Sequence, residues 1–330
     1  MTPAQPSPQP AVHIDYLDGW RGLAILLVLQ SHFLPVKAWD SGALGVDLFF
    51  VLSGWLMAGM LFIKRQPLPT FFKRRISRIV PGFFTFVLLA YAMTAWCGTW
   101  PGIQDLLASL LFLRTYLPAD AHIWGSAVPI GHLWSLNAEE HSYLYMALLV
   151  LLPLARRREH WVLLLTGVAC LGVAYLYARA GRQAPAWGRL GTEVAAAPLM
   201  LSAGYRLLRE RHPGGSAGWI TPVAALLAAL CYVKGAHWST RTFAAPVLLA
   251  VAMNHLAQAG PWLQQALSAP WLRQCGLYSF SLYLWQQVFY VSRGAMPFGP
   301  LGALAFVALA GWCSYRLVEL PARRFLNERW

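Results

Sequence analysis

Apolar residues occur along this chain in long runs that are separated by short polar connections. A run of about twenty apolar residues is the length that an α-helix needs to cross the hydrocarbon layer of a membrane. Ten runs reach or approach this length, which predicts an all-α, polytopic membrane protein with about ten transmembrane helices. The predicted spans cover residues 20–36, 45–63, 79–97, 133–154, 161–178, 191–207, 219–233, 243–258, 276–292 and 301–318.

The composition agrees with a membrane protein. Of the 330 residues, 58% are hydrophobic and only 12% are charged, whereas about a quarter of a soluble chain is charged. A net charge of +13 would suggest a nucleic-acid partner in a soluble protein. Here the positive-inside rule explains the charge, because most of the 26 Lys and Arg residues lie in connections on the N-terminal side. Both termini are therefore predicted to be cytoplasmic, and no nucleic-acid partner is expected.

The series of spans predicts a single transmembrane domain over residues 16–330, because we find no internal repeat and no soluble segment. Residues 1–15 are Pro-rich and lack Lys and Arg, so they are predicted to be a disordered tail and not a secretory signal. Within the long connection 98–131, residues 104–117 are too short to span comfortably, which favours a re-entrant or interfacial helix on the outer face. The five cysteines show no metal-binding spacing, so no metal is expected.

The first span carries a polar pair that apolar packing alone does not require. Arg21 and His32 are eleven residues apart, so on an α-helix they share one face and lie roughly 16 Å apart along the axis. With Arg21 at the membrane surface, the imidazole of His32 lies near mid-membrane, where a titratable group indicates a functional site. The alternative is a histidine that is hydrogen-bonded between packed helices. Asp47, just inside the second span, lies near the same depth and either bonds to His32 or is satisfied by its own helix N-terminus.

The connection after the second span is strongly basic, with six Lys and Arg residues between positions 64 and 78. Arg75 and Arg78 stand three residues apart, so on a helix they are neighbours that can bind a phosphate group together, with Lys73 close by. The alternative is an ordinary patch that binds anionic lipid headgroups. A phosphate ligand on this side would be cytosolic, which favours a nucleotide-tailed donor such as a coenzyme A thioester.

Two later spans are unusually polar. The fourth begins with two histidines and two adjacent acids, and Glu140 shares a helical face with Tyr143. This pattern indicates acceptor binding or proton handling, although the acids could also offset the helix dipole. The ninth span carries Ser, Tyr and Gln side chains around Tyr283 and Trp285, which fits either a site or hydrogen bonding between helices.

Taken in order, these stretches resemble the acyltransferase 3 family of membrane-bound acyltransferases. The similarity extends from Tyr16 to Phe325. The family signatures are matched by Arg21-x10-His32, by Gly-Val-Asp-x-Phe-Phe-x-x-Ser-Gly at 45–54, by Arg75-x-x-Arg78, by Trp-Ser-Leu-x-x-Glu-Glu-x-x-Tyr at 134–143, by Ser-Leu-Tyr-Leu-Trp at 281–285 and by Glu-x-Pro-x-x-Arg at 319–324.

The resemblance implies an enzyme of the bacterial inner membrane, a multi-pass O-acyltransferase. It would move an acyl group, usually acetyl, from cytosolic acetyl-CoA to a hydroxyl of a carbohydrate at or across the membrane. It also implies a catalytic His32, acting as a base or as a transient acyl carrier, with Asp47 and Glu140 supporting it. Donor binding is expected of Arg21, Arg75, Arg78 and Lys73, and acceptor binding of Ser135, Tyr143, Tyr283 and Trp285.

Other functions stay open at this point. Within the enzyme class, the acceptor could be a small molecule such as a macrolide, or a lipid-linked sugar, on the cytoplasmic side. In a different class, Arg21, His32 and Glu140 could form the relay of a proton- or anion-coupled transporter, although the inverted repeats of many transporters are missing. The partners expected for the enzyme are acyl-CoA, the carbohydrate acceptor, membrane lipid and proteins of polysaccharide biosynthesis.

Overall fold

The computed structural model describes residues 14–118, 127–152, 157–183, 185, 188 and 190–329. Within these residues the regular structure is helical, and the only β-type pairing consists of isolated bridges. The all-α prediction is therefore confirmed for the described part of the chain. The α-helices are α1 Asp15–Phe33, α2 Ser41–Ala58, α3 Leu68–Trp96, α4 Ile103–Leu110, α5 Trp134–Leu151, α6 Glu159–Ala180, α7 Thr192–Ala195, α8 Ala197–Arg211, α9 Ile220–Leu230, α10 Ala245–Asn254, α11 Pro261–Leu267, α12 Pro270–Val291, α13 Gly299–Ser314 and α14 Leu320–Arg329.

Four continuous helical segments are long and apolar enough to cross a membrane, among the residues described. The remaining predicted spans fall on helices that are shorter or more polar. Helix α9 has only 11 residues, and α1 carries Asp15, Asp18 and Arg21 in its first two turns. The number of crossings and the side of the termini therefore stay predictions. The four segments are Ser41–Ile63, Leu68–Trp96, Glu159–Gln183 and Gly299–Arg329.

Two boundaries differ from the sequence predictions. Residues 1–13 of the predicted tail lie outside the described residues, and α1 begins at Asp15, which had been assigned to that tail. In the connection 98–131, α4 ends at Leu110, so it covers only the first half of the predicted helix 104–117. The reason is local: Phe112 has a φ of 61°, a left-handed conformation that an α-helix cannot continue through.

Helix α2 lies at the centre of the bundle, where it packs against α1, α8 and α10. Its inward side chains are apolar and almost fully buried, for example Val51 and Leu52 at 0% and 1% exposure. Between helices within a membrane, such contacts stabilise the fold through close van der Waals packing. The consequence for function is positional, because the motif residues of α2 are held at fixed places between their neighbours.

Helices α1 and α12 run side by side with their backbones in contact. A Cβ atom on Gly276 would lie 1.9 Å from the carbonyl oxygen of Asp18, and one on Gly22 would lie 2.0 Å from that of Leu272. Only glycine fits at such an approach, as in other tightly crossed helix pairs within membranes. This contact places the second half of α1 beside the second half of α12.

Candidate active site

Residues from five separated stretches of the sequence line one cavity with a volume of about 110 Å³. The walls come from α1, α2, α3, α5 and α12, so the cavity depends on the tertiary fold. Ser53 and Glu139, which lie within the matched motifs but were not among the predicted site residues, also line it. The predicted site residues on its walls are Arg21, Arg75, Arg78, Ser135, Tyr143 and Tyr283.

Arg75 is held in this cavity by two residues, the carboxylate of Glu140 and the ring of Tyr143. Its Nε donates to Oε2 of Glu140 at 3.0 Å, and its Nη2 donates to Oε1 of the same carboxylate at 2.6 Å. The guanidinium carbon also lies 3.5 Å from the centre of the Tyr143 ring. A bidentate ion pair combined with a cation–π contact is a strong arrangement when it is largely withdrawn from water. Glu140, predicted as catalytic, is thus the partner that holds Arg75 between α3 and α5.

The other cationic side chains differ in their availability. Arg21 pairs with Asp18 at 2.9 Å on the same helix. Arg78 is exposed and, among the residues described, has no carboxylate partner within ion-pair distance. It is therefore the cavity arginine whose charge is most available to an anionic ligand. Lys73, predicted together with these arginines, is exposed and is not part of the cavity wall.

Glu139 accepts two side-chain hydrogen bonds within the cavity, next to the ring on which Arg75 stacks. Its Oε1 accepts a hydrogen bond from Oγ of Ser53 at 2.5 Å and another from the hydroxyl of Tyr143. Glu139 and Tyr143 are four residues apart on α5, so their contact follows from helical spacing. Helical spacing therefore predicts a contact between Glu139 and Tyr143. It equally allows one between Glu140 and Tyr143, which are three residues apart, so spacing alone does not distinguish the two acids.

A polar layer closes the cavity at its far end. The hydroxyl of Tyr283 donates to the main-chain carbonyl of His132, so in its 2.6 Å contact with Ser135 it accepts from Oγ. The imidazole of His132 packs edge-on against the Tyr283 ring, with 4.9 Å between ring centres. His132 is only 4% exposed, and neither ring nitrogen has a hydrogen-bond partner among the described residues.

His32 lies outside the cavity wall and beside this layer. Its Nδ1 is 2.8 Å from Oε1 of Gln286, and its ring packs on Tyr290 with 4.8 Å between centres. An amide oxygen only accepts hydrogen bonds, so Nδ1 carries the proton and Nε2 carries the lone pair. The imidazole is therefore oriented with Nε2 as its basic atom, which is the form that a general base needs.

The hydrogen bond between His32 and Asp47, one of the two predicted alternatives, is not formed. Asp47 accepts instead from the hydroxyl of Tyr232 and lines a second cavity of about 400 Å³, together with the ion pair between Asp40 and Arg241. The physical reason is helix rotation, because the α1–α12 contact directs His32 toward α12 and Asp47 points to the other side of α2. The sequence predicted a similar membrane depth for His32 and Asp47, but depth does not determine the direction in which each side chain leaves its helix.

Trp285 is another predicted residue that does not line the cavity. Its ring packs edge-on against Phe86 with 5.4 Å between centres, and its buried Nε1 has no partner among the residues described. The neighbouring Gln286 likewise has a buried Nε2 without a partner. Gln286 also bonds to His32, so its unpaired amide nitrogen belongs to the side chain that orients the imidazole.

The cavity is lined by residues of the motifs on which the resemblance to acyltransferases was based. A family model described as an acyltransferase domain matches residues 14–315, and the chain belongs to this family, acyltransferase 3. This confirms the resemblance found in the sequence.

Similar proteins carry related descriptions. A protein of Komagataeibacter xylinus, BcsY, named as a candidate membrane-bound transacylase, is 28% identical over 94% of this chain and 83% of its own length. A candidate O-acetyltransferase of Staphylococcus aureus strain COL is 23% identical over 94% of this chain and 58% of its own length. The O-acetyltransferase OatA of Staphylococcus aureus is 29% identical over 44% of this chain and 26% of its own length. No solved structure gives a significant match.

Proposed function

We propose that this protein transfers an acyl group, acetyl in the simplest case, from cytosolic acyl-CoA to a hydroxyl of a carbohydrate. The reaction takes place at or across the inner membrane of a bacterium. The observation that carries this proposal is the convergence of Arg21, Arg75 and Arg78 on one cavity in an acyltransferase 3 chain. The fork of Arg78 has no carboxylate partner among the described residues and suits a phosphate of coenzyme A, whereas Arg75 and Arg21 are paired with carboxylates and add positive charge to the cavity. The descriptions of the relatives as transacylases and O-acetyltransferases agree with the acyl chemistry.

In this proposal, Nε2 of His32 acts as the general base. It takes the proton of the acceptor hydroxyl while the oxygen attacks the thioester carbonyl. The new C–O bond forms, the C–S bond breaks, and the imidazolium returns its proton to the departing thiolate of coenzyme A. General-base catalysis of this kind contributes roughly 10²–10⁴-fold to the rate. A transient acyl-imidazole on the same nitrogen is the second route.

The polar layer next to His32 supports a reacting group at this place. A buried polar group without a partner costs about 1–3 kcal/mol, and several of them gather here. The N–H groups of Gln286 and Trp285, together with a ring nitrogen of His132, lack partners among the described residues. Donors of this type stabilise the negative oxygen that develops on a thioester carbonyl under attack. We assign them this role and assign the hydroxyls of Ser135 and Tyr283 to acceptor binding.

The proposal is tested by replacing His32. Purified His32→Ala protein in lipid nanodiscs, supplied with envelope glycan as the acceptor hydroxyl, is expected to release coenzyme A from acetyl-CoA at least about 100-fold more slowly than the wild type. Envelope glycans from cells that carry this variant are expected to lose an acetyl-sized mass. Coenzyme A release is followed with a thiol reagent, and the glycans are followed by mass spectrometry.

His141 offers a matched control for this experiment. It is also a partly buried histidine, but its Nδ1 contacts Oγ1 of Thr192 at 2.8 Å and it does not line the cavity. His141→Ala is expected to keep most of the activity. Full coenzyme A release by His32→Ala, or equal losses in both variants, would contradict the role given to His32.

A further inference from the structure

A third cavity, of about 250 Å³, lies on the same face of the bundle as the basic connections. It is formed where α1 begins and where α2, α8 and α10 end. Its walls include Tyr16, Trp55, Arg206, Arg209 and Asn254. Helix α2 separates it from the candidate active site, because Trp55 faces this cavity while Ser53 and Met57 face the other.

Arg206 is held in this cavity by stacking. Its guanidinium carbon lies 3.5 Å from the centre of the Trp55 ring. One turn further along, a Cβ atom on Gly59 would lie 3.0 Å from Nη2 of Arg206, so the absence of a side chain there leaves room for the guanidinium. The group is thus fixed in place by the aromatic ring and by the backbone of the α2 segment.

The guanidinium of Arg206 forms no ion pair among the described residues. Its Nη1 is buried without a hydrogen-bond partner, and no carboxylate lies within 4.0 Å of the guanidinium among the described residues. Arg209, one turn along α8, donates only to uncharged groups, the carbonyl oxygen of Asn254 and the amide oxygen of Gln258. Glu210 also lines the cavity and attracts Arg206 electrostatically, but its side chain is exposed and no ion pair joins it to either arginine.

A buried cation without a counter-ion is unfavourable, because its lost hydration is not replaced. Two arginines in one polar cavity, with one guanidinium already immobilised, match the geometry of a phosphate group, which a guanidinium fork binds with two parallel hydrogen bonds. Two phosphates are within reach of this face: the nucleotide end of a cytosolic coenzyme A, and the headgroup of an anionic phospholipid.

We propose that the cavity around Arg206 and Arg209 is a phosphate-binding site, separate from the arginine cluster of the candidate active site. If the phosphate belongs to acyl-CoA, the site rests on the proposed function and extends it by anchoring the nucleotide away from the thioester. If the phosphate belongs to a lipid, the site stands without the proposed function.

The first arm of the test uses binding alone and no turnover. Coenzyme A and dephospho-coenzyme A differ only by the 3′-phosphate, so calorimetry on the full chain measures what that phosphate contributes. With a donor phosphate in the site, the wild type is expected to bind coenzyme A about tenfold more tightly than the dephospho form. Arg206→Gln is expected to bind both equally.

The second arm uses nanodiscs that contain phosphatidylglycerol or only phosphatidylcholine. With a lipid phosphate in the site, phosphatidylglycerol is expected to raise the melting temperature of the wild type more than that of Arg206→Gln. The two ligands of the first arm would then bind equally well to the wild type. Either pattern supports the phosphate site and identifies its source.

Arg65→Gln serves as the matched control in both arms. Arg65 lies on the same face but pairs with Glu159 at 3.1 Å, so it does not need an external anion. A second variant, Arg206→Lys, keeps the charge and loses the fork, and is expected to retain part of the discrimination even where Arg206→Gln folds poorly. If neither arm separates wild type from the Arg206 variants, or if Arg65→Gln behaves as Arg206→Gln does, the site is refuted.

Discussion

Arg75 and Arg206 each stack on an aromatic ring, but only Arg75 is also paired with a carboxylate. Each guanidinium carbon lies 3.5 Å from the centre of an aromatic ring, that of Tyr143 for Arg75 and that of Trp55 for Arg206. Arg75 is also closed by the bidentate carboxylate of Glu140, whereas a buried nitrogen of Arg206 has no partner among the described residues. The comparison separates an arginine that holds helices together from one that is available to a ligand.

The largest loss of stability is expected from replacing Arg75, the arginine that is paired with Glu140. Arg75→Met leaves the carboxylate of Glu140 largely buried without its counter-ion, which costs about 3–5 kcal/mol when a buried pair is broken. We expect a clearly lower melting temperature in detergent and a loss of acetyl-CoA binding, since the cavity wall is disturbed. Thermal unfolding followed by intrinsic tryptophan fluorescence measures the first effect.

The double variant Arg75→Met, Glu140→Leu provides the check on this interpretation. It removes both charges, so much of the lost stability is expected to return while donor binding stays weak. A double variant that is no more stable than Arg75→Met would mean that the pair itself does not hold α3 and α5 together.

A smaller effect is expected at Arg78, which resembles Arg206 in having no carboxylate partner among the described residues. Arg78→Gln should leave the melting temperature nearly unchanged, because no ion pair is broken. It should weaken acetyl-CoA binding about tenfold, since a charged hydrogen bond to phosphate is lost. Titration calorimetry measures this, with Lys73→Gln as the control, because Lys73 carries the same positive charge but lies outside the cavity wall. Equal weakening by both variants would indicate a general basic surface.

The smallest change in stability is expected from replacing Tyr143, on whose ring Arg75 stacks. Tyr143→Phe removes the hydroxyl that bonds to Glu139 but keeps the ring on which Arg75 stacks. A loss of about 1 kcal/mol in stability is expected for one hydrogen bond. Tyr143→Leu removes the ring as well and should be the more destabilising change in the same thermal assay. The reverse order would show that stacking contributes little at this site.

Much of the fold was predictable, because helices depend on local patterns. Each apolar run that was predicted to span overlaps a helix, and the motif spacing named six of the residues that line the cavity. The choice between Glu139 and Glu140 was not predictable in this way. They are adjacent on one helix, and only their tertiary neighbours, Ser53 for the first and Arg75 for the second, distinguish them.

The direction of a side chain around its helix axis was equally inaccessible. Helical rise gives the depth of His32 and Asp47, but their partners depend on how α1 and α2 are rotated against α12 and α9. Arg206 is a further example: positive-inside charge explains a cytoplasmic arginine, and nothing in the sequence links it to Trp55, which precedes it by about 150 residues.

The backbone contact between α1 and α12 has a consequence for the imidazole itself. A methyl group at position 276 would have to move well over 1 Å to reach ordinary contact distance from the Asp18 carbonyl, pushing the two helices apart. Ten residues further along, Gln286 would retreat from His32, and a hydrogen bond of 2.8 Å has little length to spare. The absence of a side chain at Gly276 thus keeps Gln286 within hydrogen-bond distance of Nδ1 of His32, and this bond leaves Nε2 as the nitrogen that accepts a proton.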